Sequence, residues 1–306
     1  MTRYVAQRFL QAAATFAVLS FIIFGFNHLS GDPIHALLPP NASIEMRTTL
    51  RHELGLDRSF MVQYFDFFGG LLRGDLGTSL SSQRDVASLI LQRLPASLEL
   101  AVVSLTMTLV LGIPFGVYSA WRRGGVLDAV ARFFAVLGQS APAFWVGLLL
   151  VLLVAVKLDW LPTGGRGTLA HVVLPAFTMG WATLAGVTRL MRSSMLETLE
   201  TDYIRFCRAK GLSERSVMWK HTFRNAALPV LTFGGVLAAN ALTGSVVTES
   251  IFVWPGIGRL LIDGIQNRDF PVVQGVVLFF AAGYVFLAFL VDLLYLYLNP
   301  RLRSQA

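Results

Sequence analysis

Six stretches of this chain carry no Asp, Glu, Lys or Arg: Phe9–Gly31, Leu100–Trp121, Phe133–Val156, Gly167–Thr188, Asn225–Thr248 and Phe270–Val291, each 22 to 24 residues long. A helix rises about 1.5 Å per residue, so about 20 apolar residues cross the hydrocarbon core of a bilayer. Lipid offers no partner to a free backbone N–H or C=O, so each crossing must be helical. A central charge costs about 2.5–3.5 kcal/mol on insertion. The pattern predicts an all-α fold, a polytopic membrane helix bundle with six transmembrane helices. Composition agrees: 14% of residues are charged and 55% hydrophobic, against about 25% charged in a soluble domain.

Direction follows from Lys and Arg. With the N-terminus inside, the inner segments hold 15 of 25 basic and 5 of 18 acidic residues; the outer ones hold 10 basic and 12 acidic, and Asp292 falls near the inner end of the last stretch. This asymmetry predicts both termini on the cytoplasmic side. It also accounts for a net charge of +7 and a pI near 10 without nucleic acid; membrane lipid is the partner. Arg3 and Arg8 followed by an apolar run resemble a signal peptide, but the run is long and no small-x-small site follows. It reads as an uncleaved first helix.

The chain divides into a first helix (1–30), an external segment (31–95) and a five-helix core (96–306) with an inner loop (193–224). In the external segment, Ser43–Leu54 reads as a helix closed by Gly55. Ser59–Leu72 carries Phe60, Tyr64, Phe67, Phe68 and Leu71 along one face. That amphipathic stripe suits either a cap on the bundle or a docking surface for an external partner. Pro95 suits the first turn of the second span; Pro114 and Pro142 are expected to bend the second and third.

In the inner loop, Thr201-Asp202 is expected to cap a helix Tyr203–Lys210, Gly211 to end it and Ser213 to cap a second helix through Arg224. Glu249–Phe270 is apolar for a loop and is expected to fold back against protein.

Chemistry-bearing motifs are missing. No Gly-x-x-x-x-Gly-Lys-Ser/Thr loop surrounds Lys157, Lys210 or Lys220, so no ATP-binding loop is present. His28, His35, His52, His171 and His221 are scattered, and Cys207 is the single cysteine; no metal site, disulfide or catalytic residue is indicated. Apart from Asp292 the spans lack the charges that ion-coupled carriers use. Energy for transport is therefore expected from another chain.

Several short motifs occur in a fixed order: Gly31-Asp32-Pro33, Leu54-Gly55-Leu56-Asp57, Gly74-Asp75-Leu76-Gly77 and Arg93-Leu94-Pro95-Ala96-Ser97-Leu98-Glu99-Leu100. Leu174-Pro175-Ala176, Asp202-Tyr203-Ile204-Arg205, Arg208-Ala209-Lys210-Gly211-Leu212 and Arg224-Asn225-Ala226 follow. Glu249-Ser250-Ile251-Phe252, Pro255-Gly256-Ile257-Gly258, Arg268-Asp269-Phe270-Pro271 and Asn299-Pro300-Arg301 complete the series. In these motifs the chain resembles the permease subunits of ATP-binding-cassette importers, in the dipeptide, oligopeptide and nickel branch, over nearly its whole length.

The resemblance implies a type I importer permease in the inner membrane, not an enzyme. It implies a heterodimer with a related permease, two ATP-binding subunits and an external (periplasmic) substrate-binding protein. ATP and Mg belong to the partner ATPases, and this chain needs no cofactor. Tyr203, Arg205, Arg208, Ala209, Lys210, Gly211 and Leu212 would form the coupling helix against the ATPase. Cys207-Arg208-Ala209 stands where the wider superfamily often has Glu-Ala-Ala. Asp75, Trp254, Pro255, Gly256, Arg268 and Asp269 would form the external gate or binding-protein contact. Gln139, Ser140, Asn240, Thr243 and Ser245 are candidates for the substrate path. Short peptides are the expected substrate, nickel chelates and glutathione the alternatives. A stand-alone carrier or channel would show buried charge or inverted repeats, and neither is evident.

Overall fold

The computed structural model describes residues 2–29, 34, 38, 42–53, 55–231, 233 and 245–298. Asn240, Thr243, the Gly31-Asp32-Pro33 and Asn299-Pro300-Arg301 motifs, Leu54 and the side chain of Asp292 lie outside the described residues. The described residues are helical, in chain order α1 (Thr2–Leu29), α2 (Ile44–Glu53), α3 (Phe60–Leu72), α4 (Val86–Trp121), α5 (Val126–Ser140) and α6 (Ala143–Leu150). They continue with α7 (Leu169–Leu199), α8 (Asp202–Ala209), α9 (Glu214–Ser216), α10 (Ser245–Ile251), α11 (Ile257–Gln266) and α12 (Phe270–Leu298). A π-helical segment Val151–Lys157 extends α6, and another, Val217–Thr222, carries α9 into a helix over 223–231.

Among the described residues four helices are long and apolar enough to cross a membrane, within α1, α4, α7 and α12; α5 with α6 makes a fifth if the bent pair is one span. The expected third span therefore appears in two pieces. It bends by 111° at Ala141-Pro142, where Ala141 is extended (φ −85, ψ 124). Pro142 has no N–H to continue the ladder and starts a new helix instead. Pro114 sits inside the unbroken α4, and so does Pro95, because α4 starts at Val86, nine residues before it.

Two compact units divide the chain, 1–97 with 255–306 and 98–254. In the first, α1 packs on α12 through the Phe9–Phe289 edge contact at 6.5 Å. The aromatic stripe of α3 lies on α1: Tyr64 is buried, its hydroxyl within 3.1 Å of Ser20 Oγ, and its ring meets Phe21 and Phe24. Val86, Ile90, Ile257, Leu260, Val272 and Val276 form a second core.

Asp269 ties that core to the turn before α4. Its carboxylate accepts hydrogen bonds from Ser79 Oγ (2.6 Å), Ser81 Oγ (2.7 Å), Ser81 N (3.0 Å), Leu80 N (3.1 Å) and Val272 N (3.4 Å). The last of these caps the first turn of α12.

In the second unit α7 is central. Gly116 of α4 faces Met191, where a Cβ would stand 2.6 Å from the Met191 Cβ, and Gly138 of α5 faces Ala185 equally closely. Small residues let membrane helices approach without a hydrophobic drive. Val117, Ala120, Val187, Met191, Met195, Met218, Ala226 and Val230 close this core.

Burial by itself pushes the Asp269 carboxyl up, and its hydrogen bonds with Ser79, Ser81 and Leu80 outweigh this and hold it below the ordinary value of 3.8. A depressed folded pKa adds stability that is present above the ordinary value and drains as pH falls through the folded one. Asp269→Asn is thus expected to lower the melting temperature of the detergent-purified protein at pH 7, by about 1–3 kcal/mol of lost hydrogen bonding. The gap between variant and parent should narrow below pH about 4; equal melting at pH 7 would dismiss this role.

Candidate functional site

The loop after α7 is built by local signals. Gly211 adopts φ +78, open to glycine at no cost in sterics, and its N–H reaches Arg208 O at 2.9 Å. Thr201 stands at the N-cap of α8, but its hydroxyl donates back to Thr198 O (2.7 Å) and forms no cap. Ser213 does cap α9, accepting from Ser216 N at 3.4 Å. The second helix, expected as one element to Arg224, passes through the π-helical turn Val217–Thr222.

The loop helix α8 has two faces. Ile204 (0% exposed) and Cys207 are buried on Val217 and Leu199, which seats α8 against the end of α7. The other face holds exposed Tyr203, Arg205, Phe206 and Lys210, with Lys210 Nζ 4.5 Å over the Phe206 ring. Arg208 grips Glu214 through Nε (2.8 Å) and Nη2 (3.3 Å), fixing α8 to α9. Tyr203 Oη lies 2.7 Å from His221 Nδ1; desolvation, with Cys207 adding to it, pushes the phenol above its ordinary value, so it stays protonated at neutral pH. Gly211 and Leu212 complete an exposed apolar and cationic surface.

Beside this loop lies a cluster that sequence reasoning missed. Asp128 (1% exposed) accepts from Arg192 Nε (2.7 Å) and Nη2 (3.2 Å), Ser119 Oγ (2.7 Å) and Gly124 N (3.0 Å), with Arg132 Nε at 3.5 Å. It joins α4, its following turn, α5 and α7. The available signal was a lone acid among Arg122, Arg123 and Arg132; its partner Arg192 is 64 residues away.

The remaining predicted residues separate. Gln139 Oε1 accepts from Arg189 Nη1 at 2.8 Å, and both line a cavity of about 280 Å³. Ser140 sits at the helix break. Ser245 is buried (1%). Of the external set, Asp75 and Arg268 are exposed, and Asp75 Oδ1 accepts from Gly77 N. Pro255 is half-buried and Gly256 buried. Trp254 and Asp269 are each 1% exposed. Asp269 holds the turn at 79–81, and the Trp254 ring lies under Arg166, which also binds Glu99 at 2.6 Å.

Residues 112–304 match the family of the binding-protein-dependent transport system inner membrane component, and residues 1–101 match the N-terminal part of such membrane components. The chain belongs to this family. It is also similar to the glutathione transport system permease protein GsiC of Salmonella choleraesuis and of Pectobacterium atrosepticum (39% identical each). The GsiC of Escherichia coli strain K12 is 38% identical; each match spans 306 residues and 100% of both chains. This permease is thus an inner-membrane, multi-pass subunit of an ATP-binding-cassette importer of the dipeptide, oligopeptide and nickel branch.

Two variants separate the faces of α8 in this permease. Ile204→Asp buries a charge and should lower the protein's melting temperature and yield, whereas exposed Phe206→Asp should leave both unchanged and weaken recovery of the ATPase on affinity purification. Loss of recovery without loss of folding is the discriminating result; retention with Phe206→Asp would remove that face from consideration. Asp128→Ala should cost about 1–3 kcal/mol by removing the charged acceptor and leaving the half-buried Arg192 with Ser119 Oγ at 3.1 Å as its remaining partner, and adding Arg192→Leu should restore part of it. Thermal unfolding of the two variants checks this, and a single variant as stable as the parent counts against the cluster.

Proposed function

We propose that this permease forms one half of a heterodimeric channel that imports short peptides of the glutathione kind by alternating access. The relatives' full-length similarity and their name, glutathione transport system permease protein, carry the substrate reading. Glutathione is itself a tripeptide, so it falls within the short-peptide class and is the first compound to test.

In this reading all six uncharged stretches span the membrane and both termini are cytoplasmic, supported by the 15 inner basic residues of 25. An external binding protein delivers the peptide. Two partner ATPases, holding ATP and Mg, close and move α8 through the Tyr203, Phe206 and Lys210 face. The Ile204–Val217 contact and the Arg208–Glu214 ion pair would carry that movement to α7 as one body. A ligand shifts such an equilibrium only by its different affinity for the two states. The ATP-bound ATPase supplies that difference at α8, and the loaded binding protein supplies it outside.

The test is mild purification of the tagged permease from its own host's membranes, then reconstitution of what accompanies it. A second permease and ATPases should co-purify, and the liposomes should take up glutathione only with ATP and the binding protein present. Recovery of this chain alone, with uptake that ignores ATP, would replace this reading with a stand-alone carrier.

A further inference from the structure

The cavity between α5 and α7 is lined by three arginines, Arg132, Arg189 and Arg192, together with Gln139 and Thr188. Its volume is about 280 Å³, near the lower end of ligand pockets. Small buried Ala131 and Ala135 make it concave. Among the described residues a single carboxylate, Asp128, faces these cations, and its oxygens are occupied by Arg192, Ser119, Gly124 and, at 3.5 Å, Arg132. Arg189 is left with a neutral partner, the Gln139 carbonyl at 2.8 Å. Three guanidinium groups against one carboxylate leave the cavity with a surplus of two positive charges.

Its place along the chain matters as much as its charge. Arg189 directly follows the uncharged stretch that ends at Thr188. It stands ten residues before the end of α7, about 15 Å along the helix axis. Arg189 and Gln139 are both exposed, so this guanidinium stands at the mouth of the cavity, where a solute can reach it. Arginine presents a planar fork that matches a carboxylate in a bidentate way. The Gln139 amide, turned with its oxygen to Arg189, has its NH₂ free to donate to the same anion.

We infer that Arg189 and Gln139 form a binding site for a carboxylate of the transported peptide, at the inner end of its path, with Arg192 held by Asp128 as a fixed positive wall. This rests on the importer reading above and goes beyond it by assigning the solute's charge to named side chains. A carboxylate-bearing end of a short peptide fits the cavity, while the rest of the solute extends into the open side.

The assembled importer in liposomes tests this with glutathione and its diamide, which lacks both carboxylates. Arg189→Gln should reduce uptake of glutathione about tenfold, the loss for one charged hydrogen-bonding partner, and leave uptake of the diamide unchanged. Arg189→Lys should keep an intermediate rate. ATPase stimulation by the binding protein, unchanged in both variants, shows that the complex is assembled. Equal loss for both compounds, or none for either, overturns the assignment.

A binding arm keeps the two readings apart. If the parent importer moves neither compound, the substrate reading fails. Titration of the purified complex with trialanine and with trialanine amide then decides the cavity alone. Arg189-dependent preference for the free acid supports the site, and no preference removes it. Native mass spectrometry with phosphatidylglycerol covers the remaining source of an anion. Lipid adducts lost in Arg189→Gln, with peptide binding intact, would make this a headgroup site and overturn the proposal.

Discussion

Backbone hydrogen bonding without water is the constraint that the rest of this structure obeys. Inside a bilayer every N–H and C=O must find a partner in the protein, and the described parts of the uncharged stretches answer it with helices. Where helix stops, the described structure supplies the partners itself. At the bend after α5, Ala141 N donates to Leu137 O and Trp145 N to Pro142 O. In the segment before α7, Gly165 N donates to Phe252 O, and Trp254 N closes its turn on Glu249 O. The bend at Pro142 is therefore a satisfied joint between two helices.

A second constraint follows from the first. Lipid tails are as apolar as leucine, so helices associate by close packing and polar contacts. That is why α7 is bordered by Gly116 and Gly138, and why its own Gly180 meets Ser104 and Thr108 of α4. Close approach by small residues carries a helix pair only so far. Toward the C-terminal end of α7 the Asp128 cluster takes over, and replacing buried charge by apolar residues can equal its stability. Such a cluster is better understood as fixing which side chains face which neighbour.

Four of the spans, and a fifth as a bent pair, were legible because a charge-free run of about 20 residues matches the thickness of the bilayer core; most of the stretch Asn225–Thr248 lies outside the described residues. The short helix α8 was legible because Gly211 and Ser213 are local signals. Three features were hidden. Pro114 and Pro142 look alike in a sequence, yet the first stays in helix and the second stands at the break. Asp269 looked like a surface group, but its partners lie 188 to 190 residues away. Arg189 and Arg192 looked like topology markers, while their distinct roles depend on Asp128 and Gln139, on another helix.

That difference bears on how movement at the loop could reach the solute. The helix α7 runs unbroken from Leu169 to Leu199, and α8 begins three residues later on a seat formed by Ile204, Cys207, Val217 and Leu199. Arg192 is clamped to Asp128 and moves with α4 and α5 as well as α7. Arg189, one turn earlier, is held by one neutral contact. Asp128 and Gln139 stand on the same helix, α5, so a shift of α7 against α5 would load both contacts, and the one without a counter-charge is the easier to break. Under the proposed mechanism, the Arg189–Gln139 contact, which has no counter-charge, is placed to release a bound carboxylate, and the Asp128 clamp keeps the frame against which that release happens.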